Sequence, residues 1–524
     1  MALSNIEDRL MSMERFDLVQ RDAGSTDFEF KHVLVRDALY DSLLSSQRSE
    51  LHLKVAKAIE RRSASRINEV AETLAYHYSL STQHDKAFRY CSLSGRKCLD
   101  IYSLEESERY FRKALSLLRL APQCADNQAM ATVVASLLEV LYLRGDLLGL
   151  REIAEQYIPR LQTFGDTPQL VFALYFHCML LAHHCEFAAA EVRAKLALAI
   201  AQRLNDIRAQ AYAQSALMYC STILGRHPLE AAEIEGGRML DVCIRSGDNY
   251  ILNWAYWSIA WDYVCRGLTN KARIWALKLI DAGRERQDDR ALGMAYWTLA
   301  LVDIQDHRFG DAIANAQRCR KTAATPFDRK TGTIASAIGL LLEGRIEEGL
   351  AELLAQRKSA LTDGWLYSAS GVDFAAGPAL AMTGRIAEGI RMLKAGIAAC
   401  DATGDRSMAS WNRVALAELF LRMLSSEKRP SFKFILSNLG AITWVLIFGR
   451  RQAWQLLGEA VQNDQIHGLS TSRGWIEIDL AKLCILKKKP HLAQQHLRRA
   501  QLAAEAQESA IMSNEIDAIF ASLR

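Results

Sequence analysis

A period of about forty residues runs through most of this 524-residue chain and restricts what it can fold into. Short polar breaks follow an apolar run and precede an amphipathic one at Gly145, Cys185, Gly225, Gly267, His307, Gly344 and Gly384. The steps between them are 40, 40, 42, 40, 37 and 40 residues. Asp166, Asp206, Asp248 and Asp288, and after a gap Asp405, form a second series with steps of 40, 42 and 40 before the gap. The tripeptide Ala255-Tyr256-Trp257 returns forty residues on as Ala295-Tyr296-Trp297. Self-similarity of this length marks a stack of supersecondary units, each of which buries its apolar face only against its neighbours.

Each unit holds two apolar-periodic stretches of roughly fifteen residues, divided by one of the breaks. Between Gly384 and Asp405, Ile386, Ile390, Leu393, Ile397 and Ala398 recur at helical spacing, while Arg385, Glu388, Arg391 and Lys394 fall on the other side. Glycine at the break suits the left-handed residue that closes a helix. The unit is therefore a helical hairpin. The expected fold is all-α, a tetratricopeptide-like α-solenoid of period about 40, its helices longer by up to a turn than in the usual 34-residue repeat. With only 8 prolines, little interrupts such helices.

The period leaves two regions outside it. Residues 1–62 read as a partial winged-helix segment, 63–424 as the helical repeats, 425–449 as an apolar insertion, and 450–524 as final repeats with a C-terminal cap. Repeats resume at Arg450-Arg451 and at Lys487-Lys488-Lys489. The insertion contains FKFILSNLGAITWVLIFG, at the lower length limit for a membrane span, but Lys433, Ser437, Asn438 and Thr443 interrupt it. It reads as a buried or docking helix, with no membrane span. A net charge of +4 gives no nucleic-acid footprint. The 11 cysteines include no CxxC pair, and the first residues have no basic-then-apolar run, so a cytoplasmic location is expected.

Near the N-terminus, Phe16 and Leu18, then Phe28 and Phe30, flank Asp22-Ala23-Gly24-Ser25 as two short strands around a turn, with a helix from about Lys31. The string from Phe30 to Leu44 (FKHVLVRDALYDSLL), followed by Arg48 and Leu51-His52, resembles a motif of bacterial multidomain class III adenylate/guanylate cyclases. In that family a cyclase domain precedes a STAND NTPase, its winged helix and a tetratricopeptide-like tail. The stretch Phe448 to Ala453 is similar to the distal part of that tail. The resemblance implies that this chain corresponds to the C-terminal part of such a protein, separately encoded or truncated.

No GxxxxGK[ST] loop occurs to cradle phosphates, and no cyclase domain with paired metal-binding aspartates is found, so no enzymatic activity and no cofactor are expected. The expected function is a non-catalytic regulatory or scaffolding module for protein–protein interaction in a cyclase/STAND NTPase signalling system. Its partner would be a protein such as a separately encoded NTPase or cyclase. The alternatives are the ligand-sensing solenoid of a STAND-type transcriptional regulator and a truncated cyclase fragment.

The resemblance makes His32 a nucleotide-sensing candidate, set against a histidine that merely caps its helix. Exposed Phe16, Leu18, Phe28 and Phe30 are partner-binding candidates, because an incomplete winged helix leaves them uncovered. Trp254, Tyr256, Trp257, Trp261, Tyr263, Tyr296 and Trp297 invite a groove, but aromatics locked to the period read as inter-hairpin core. Tyr263, Asp262 and Asp303 break the period and are the expected groove residues. His177, Cys178, His183, His184 and Cys185 lack the i,i+4 spacing that would bring ligands to one metal, so no metal site is expected.

Overall fold

The computed structural model describes residues 3–21, 28–425, 431–463, 471–507 and 509–523. They form a tetratricopeptide-like α-solenoid of successive helical hairpins, with one two-stranded sheet at the N-terminal end. The chain divides into two compact units, Met1–Val133 and Val134–Arg524.

Both sequence series turn out to be backbone signals. Gly145, Cys185, Gly225, Gly267, His307, Gly344 and Gly384 all have positive φ, between 54° and 87°. Each ends the first helix of a hairpin. The residue before each marker aspartate (Gly165, Asn205, Gly247, Gln287 and Gly404) is left-handed as well. Asp206, Asp248, Asp288 and Asp405 then cap the next helix by accepting amide hydrogens, as from Ala209 at 2.8 Å and Met408 at 3.0 Å. Asp166 departs from the rule. It binds Arg203 at 2.6 Å, and Thr167 makes the cap. In the gap of the series, Thr325 and Asp328 form a reciprocal capping box ahead of the helix Pro326–Leu342.

In the first unit, strands Val19–Arg21 and Phe28–Phe30 pair antiparallel, Val19 opposite Phe30. The expected turn at Asp22-Ala23-Gly24-Ser25 lies outside the described residues. A helix, Leu3–Arg15, precedes the strands, and another, Val33–Ser42, follows them. The latter buries none of its residues. The core of this unit is instead Leu74, Tyr78, Phe88, Tyr90 and Phe111. Glu60 accepts from Tyr78, Tyr90 and Lys86 at 2.5–2.6 Å, which lowers its carboxyl to about 2 against the cost of burial.

A relay of rings ties the helix Val33–Ser42 to its neighbours. Tyr40 Oη meets His52 Nε2 at 2.9 Å, and His52 Nδ1 meets His77 Nδ1 at 2.8 Å. One imidazole donates and the other accepts, so the pair cannot take up a second proton and keep this bond, and burial lowers both pKa values. Histidines depressed in the folded state stabilise it above their unfolded pKa, and that stability is lost as pH falls through the folded value. Amides of residues 33–42 should therefore lose protection at pH 5 relative to pH 7, after correction for intrinsic exchange. His52→Phe should remove that dependence. Equal protection at both pH values would contradict the relay.

In the second unit the two helices of a hairpin differ in character. The first helices Pro168–His183, Ile207–Leu224 and Asn249–Cys265 are buried on nearly every side. The second helices, such as Phe187–Leu204 and Thr269–Arg286, bury one stripe. First helices therefore line the inside, and the solenoid closes on itself. Trp365 Nε1 donates to the Gly145 carbonyl at 3.0 Å, across 220 residues. His184 lies at Gly364, Leu224 at Gly404, and the His307 ring stacks on Trp475 at 4.7 Å.

The apolar insertion becomes two helices, Phe432–Ser437 and Leu439–Val461. The second runs unbroken through Arg450-Arg451, where a new repeat was expected, because nothing there breaks a helix. Lys488 does mark a break, with φ of 55°.

Candidate aromatic cavity

Seven first helices of the second unit converge on one cavity of about 120 Å³. Pro168–His183 supplies His183, and Ile207–Leu224 supplies Tyr219. Asn249–Cys265 supplies Trp254, Trp257 and Trp261, and Asp289–Gln305 supplies Trp297. Phe327 and Asp328 come from Pro326–Leu342, Gly371 and Phe374 from Leu366–Met382, and Met408 and Trp411 from Arg406–Ser425.

Helical spacing explains the tryptophan wall. Positions 254, 257 and 261 share one face, and the forty-residue period sets Trp297 beside them on the adjacent first helix. Ring centroids lie 4.8 Å apart for Trp254–Trp257, 5.9 Å for Trp257–Trp261 and 5.1 Å for Trp261–Trp297. Opposite, Phe327 packs on Trp365 at 4.8 Å, and Phe374 meets Trp411 edge-on at 5.3 Å. The repeated tripeptide thus splits its roles. Trp257 and Trp297 face the cavity, whereas Tyr256 meets Trp275 of its partner helix and Tyr296 lies beneath Arg318.

The cavity carries almost no charge. His183 is held neutral by complete burial, which lowers its pKa to about 3. Asp328 is buried and paired with Arg290 at 3.5 Å. A half-open, nearly uncharged space walled by indole rings can take an apolar or flat aromatic guest by stacking and dispersion.

The period-breaking residues lie elsewhere. Asp262 is buried and accepts from Arg266 Nε at 2.7 Å and from Thr222 at 3.0 Å. Tyr263 donates to Glu233 at 2.9 Å. Asp262 and Tyr263 border a second, smaller hollow of about 80 Å³ with Glu233 and Trp275. Asp303, wholly buried, accepts from Arg273, Arg308 and Asn315 at 2.7–2.8 Å. None of the three lines the aromatic cavity.

In the first unit, Phe16 is 75% exposed and Phe30 is 38% exposed, while Leu18 and Phe28 are half-buried. His32 is exposed and occupies the N-cap of Val33–Ser42 without a side-chain capping bond. The histidines and cysteines near position 180 face separate neighbours. His183 packs on Trp365 at 4.6 Å, His184 meets Gly364, and Cys178 Sγ lies 3.5 Å from Cys220 Sγ. No group of three metal-binding side chains occurs among the described residues.

Reading period-locked aromatics as core alone missed the cavity. The available signal was composition: Asn249–Cys265 holds one charged residue, Asp262, so that helix must be enclosed on all sides.

No protein-family model matches the chain, and no curated protein does. Among solved structures, a Rap protein complexed with competence and sporulation factor is similar over 81% of this chain and 99% of its own, at 11% identity and a TM-score of 0.37. Scc4 in complex with Scc2n is similar over 97% and 100%, at 9% identity and a TM-score of 0.43. A STAND protein with a tetratricopeptide repeat sensor from Pyrococcus horikoshii is similar over 87% of this chain and 59% of its own, at 12% identity and a TM-score of 0.34. At such identities the likeness is one of helical architecture alone.

Proposed function

We propose that this chain is a non-catalytic sensor module, in which a neutral apolar or flat aromatic ligand occupies the cavity and biases the packing of the inner helices. The observation that carries this reading is the convergence of seven first helices on one uncharged aromatic wall. A guest there touches elements from His183 to Trp411, so its binding energy acts on the whole closed part of the solenoid. The sequence resemblance supports placing the module in a cyclase/STAND NTPase system. There, exposed Phe16 and Phe30 with half-buried Leu18 and Phe28 would dock the protein partner, and His32 would sit at that contact.

The test is calorimetric titration of the full chain with 2-naphthol, a neutral bicyclic probe. Saturable binding of one probe per chain is expected. Gly371→Phe should weaken it by about tenfold or more, because the new ring occupies the same space. Non-saturating partition, or equal binding by a folded Gly371→Phe chain, would overturn the reading.

A further inference from the structure

The insertion presents a second apolar surface unrelated to the cavity. On the helix Leu439–Val461, one face is core: Val445, Gly449, Ala453, Leu456, Leu457 and Ala460 are buried, and Val445, Ala453 and Leu457 belong to the core formed with Leu416 and Phe420. Toward the start of the same helix, other apolar side chains look outward instead. Leu439 is 55% exposed, Leu446 60% and Ile447 65%, and the preceding short helix adds Phe432 at 80% and Leu436 at 64%. Large apolar side chains left outward on a helix whose remaining length is packed on the core need a second apolar medium.

Charge identifies that medium. From Lys428 to Gly458 the sequence contains no aspartate or glutamate, and its ionised groups are Lys428, Arg429, Lys433, Arg450 and Arg451. Lys433, Arg450 and Arg451 are exposed and make no ion pair among the described residues. Lys394 and Lys487 add cations beside the face, with Nζ 4.3 Å from the Trp444 ring centre and 4.5 Å from that of Trp454. A second copy of the chain is disfavoured, because pairing two such faces sets Arg450 and Arg451 against either themselves or Lys433. No helix among the described residues is long and apolar enough to cross a membrane. Large apolar side chains in the middle, cations at both ends and tryptophans at the margin are the pattern of a helix lying in the plane of a bilayer interface.

We infer that Phe432–Trp454 is a docking face for an anionic lipid surface, with Leu439, Leu446 and Ile447 inserted among acyl chains and Lys433, Arg450 and Arg451 on the headgroup phosphates. The inference does not depend on the ligand reading of the cavity.

The test uses the full chain and sedimented unilamellar vesicles, of phosphatidylcholine alone or mixed with phosphatidylglycerol. Mixed vesicles should carry the protein down, less so at high salt, and phosphatidylcholine alone should not. Leu446→Glu with Ile447→Glu should abolish sedimentation with an unchanged circular dichroism spectrum, since both side chains already face outward. Arg450→Glu with Arg451→Glu, which leaves the apolar face intact, should weaken it about tenfold or more. In the wild type, lipids brominated on the acyl chains should quench tryptophan emission. Absence of binding to mixed vesicles, or binding unaffected by the Leu446 and Ile447 changes, overturns the inference. So does a dimer in vesicle-free solution that those changes dissociate, which would assign the face to a second copy.

Discussion

Raising the pH from 4 to 8 should cost the wild-type second unit about 2–4 kcal/mol relative to its Asp405→Asn variant. Asp405 is 1% exposed, and burial drives its carboxyl up to about 7. One oxygen accepts from the Met408 amide, while Oδ2 has no hydrogen-bond partner. Around it stand Tyr219, Tyr367, Cys185, Cys265 and Cys400, which offer no cation. A carboxyl raised in the folded state keeps a proton that the unfolded chain has lost. Stability therefore falls as pH rises between the unfolded value near 4 and the folded value near 7, and is level above it. Asparagine keeps the acceptor for Met408 and cannot ionise. Urea denaturation of both proteins across this range measures the difference, and a constant difference would refute an ionising Asp405.

Replacing Gly389 with alanine should destabilise the second unit by about 3 kcal/mol or more. A β-carbon there would collide with the Gly377 carbonyl oxygen of the adjoining helix Leu366–Met382, and backbone cannot step aside as a side chain can. The contact recurs one period earlier, where Gly349 faces the Ala337 carbonyl. The control is Gly371→Ala. There the nearest atom to the new carbon is Met408 Sδ at 3.8 Å, and the gain in helix propensity should stabilise by about 0.5–1 kcal/mol. Opposite signs from two glycine-to-alanine changes eighteen residues apart, read from urea midpoints, would establish the close crossing; a neutral Gly389→Ala would refute it.

The fold was legible because its boundaries are written in residue chemistry. Most left-handed positions between helices are Gly, though Cys185, Asn205, Gln287, His307 and Lys488 also adopt them, and Asp206, Asp248, Asp288 and Asp405 advertised helix starts. Position within the period did not reveal environment. Asp248 pairs with Arg208, whereas Asp405, at the equivalent place, is buried without a cation, because the earlier hairpins that carry Cys185, Tyr219 and Cys265 cover it. The cavity was hidden for the same reason. Trp257 and Trp297 stack across adjacent hairpins, as periodicity predicts. That Phe327, Phe374 and Trp411 stand across an open space from them depends on curvature, which accumulates over many units and leaves no local trace.

Closure also changes what kind of object this repeat array is. In an open solenoid each hairpin touches only its neighbours, so units can be added or removed at either end or in the middle with nearly additive effect. Here Trp365 must arrive at the Gly145 carbonyl, and His307 at Trp475, after a fixed number of hairpins. Deleting or duplicating one hairpin between residues 145 and 365 would advance the superhelix by a whole step and leave every such contact out of phase. The repeat number in this part of the chain is quantised by geometry, and its length can vary only in the turns.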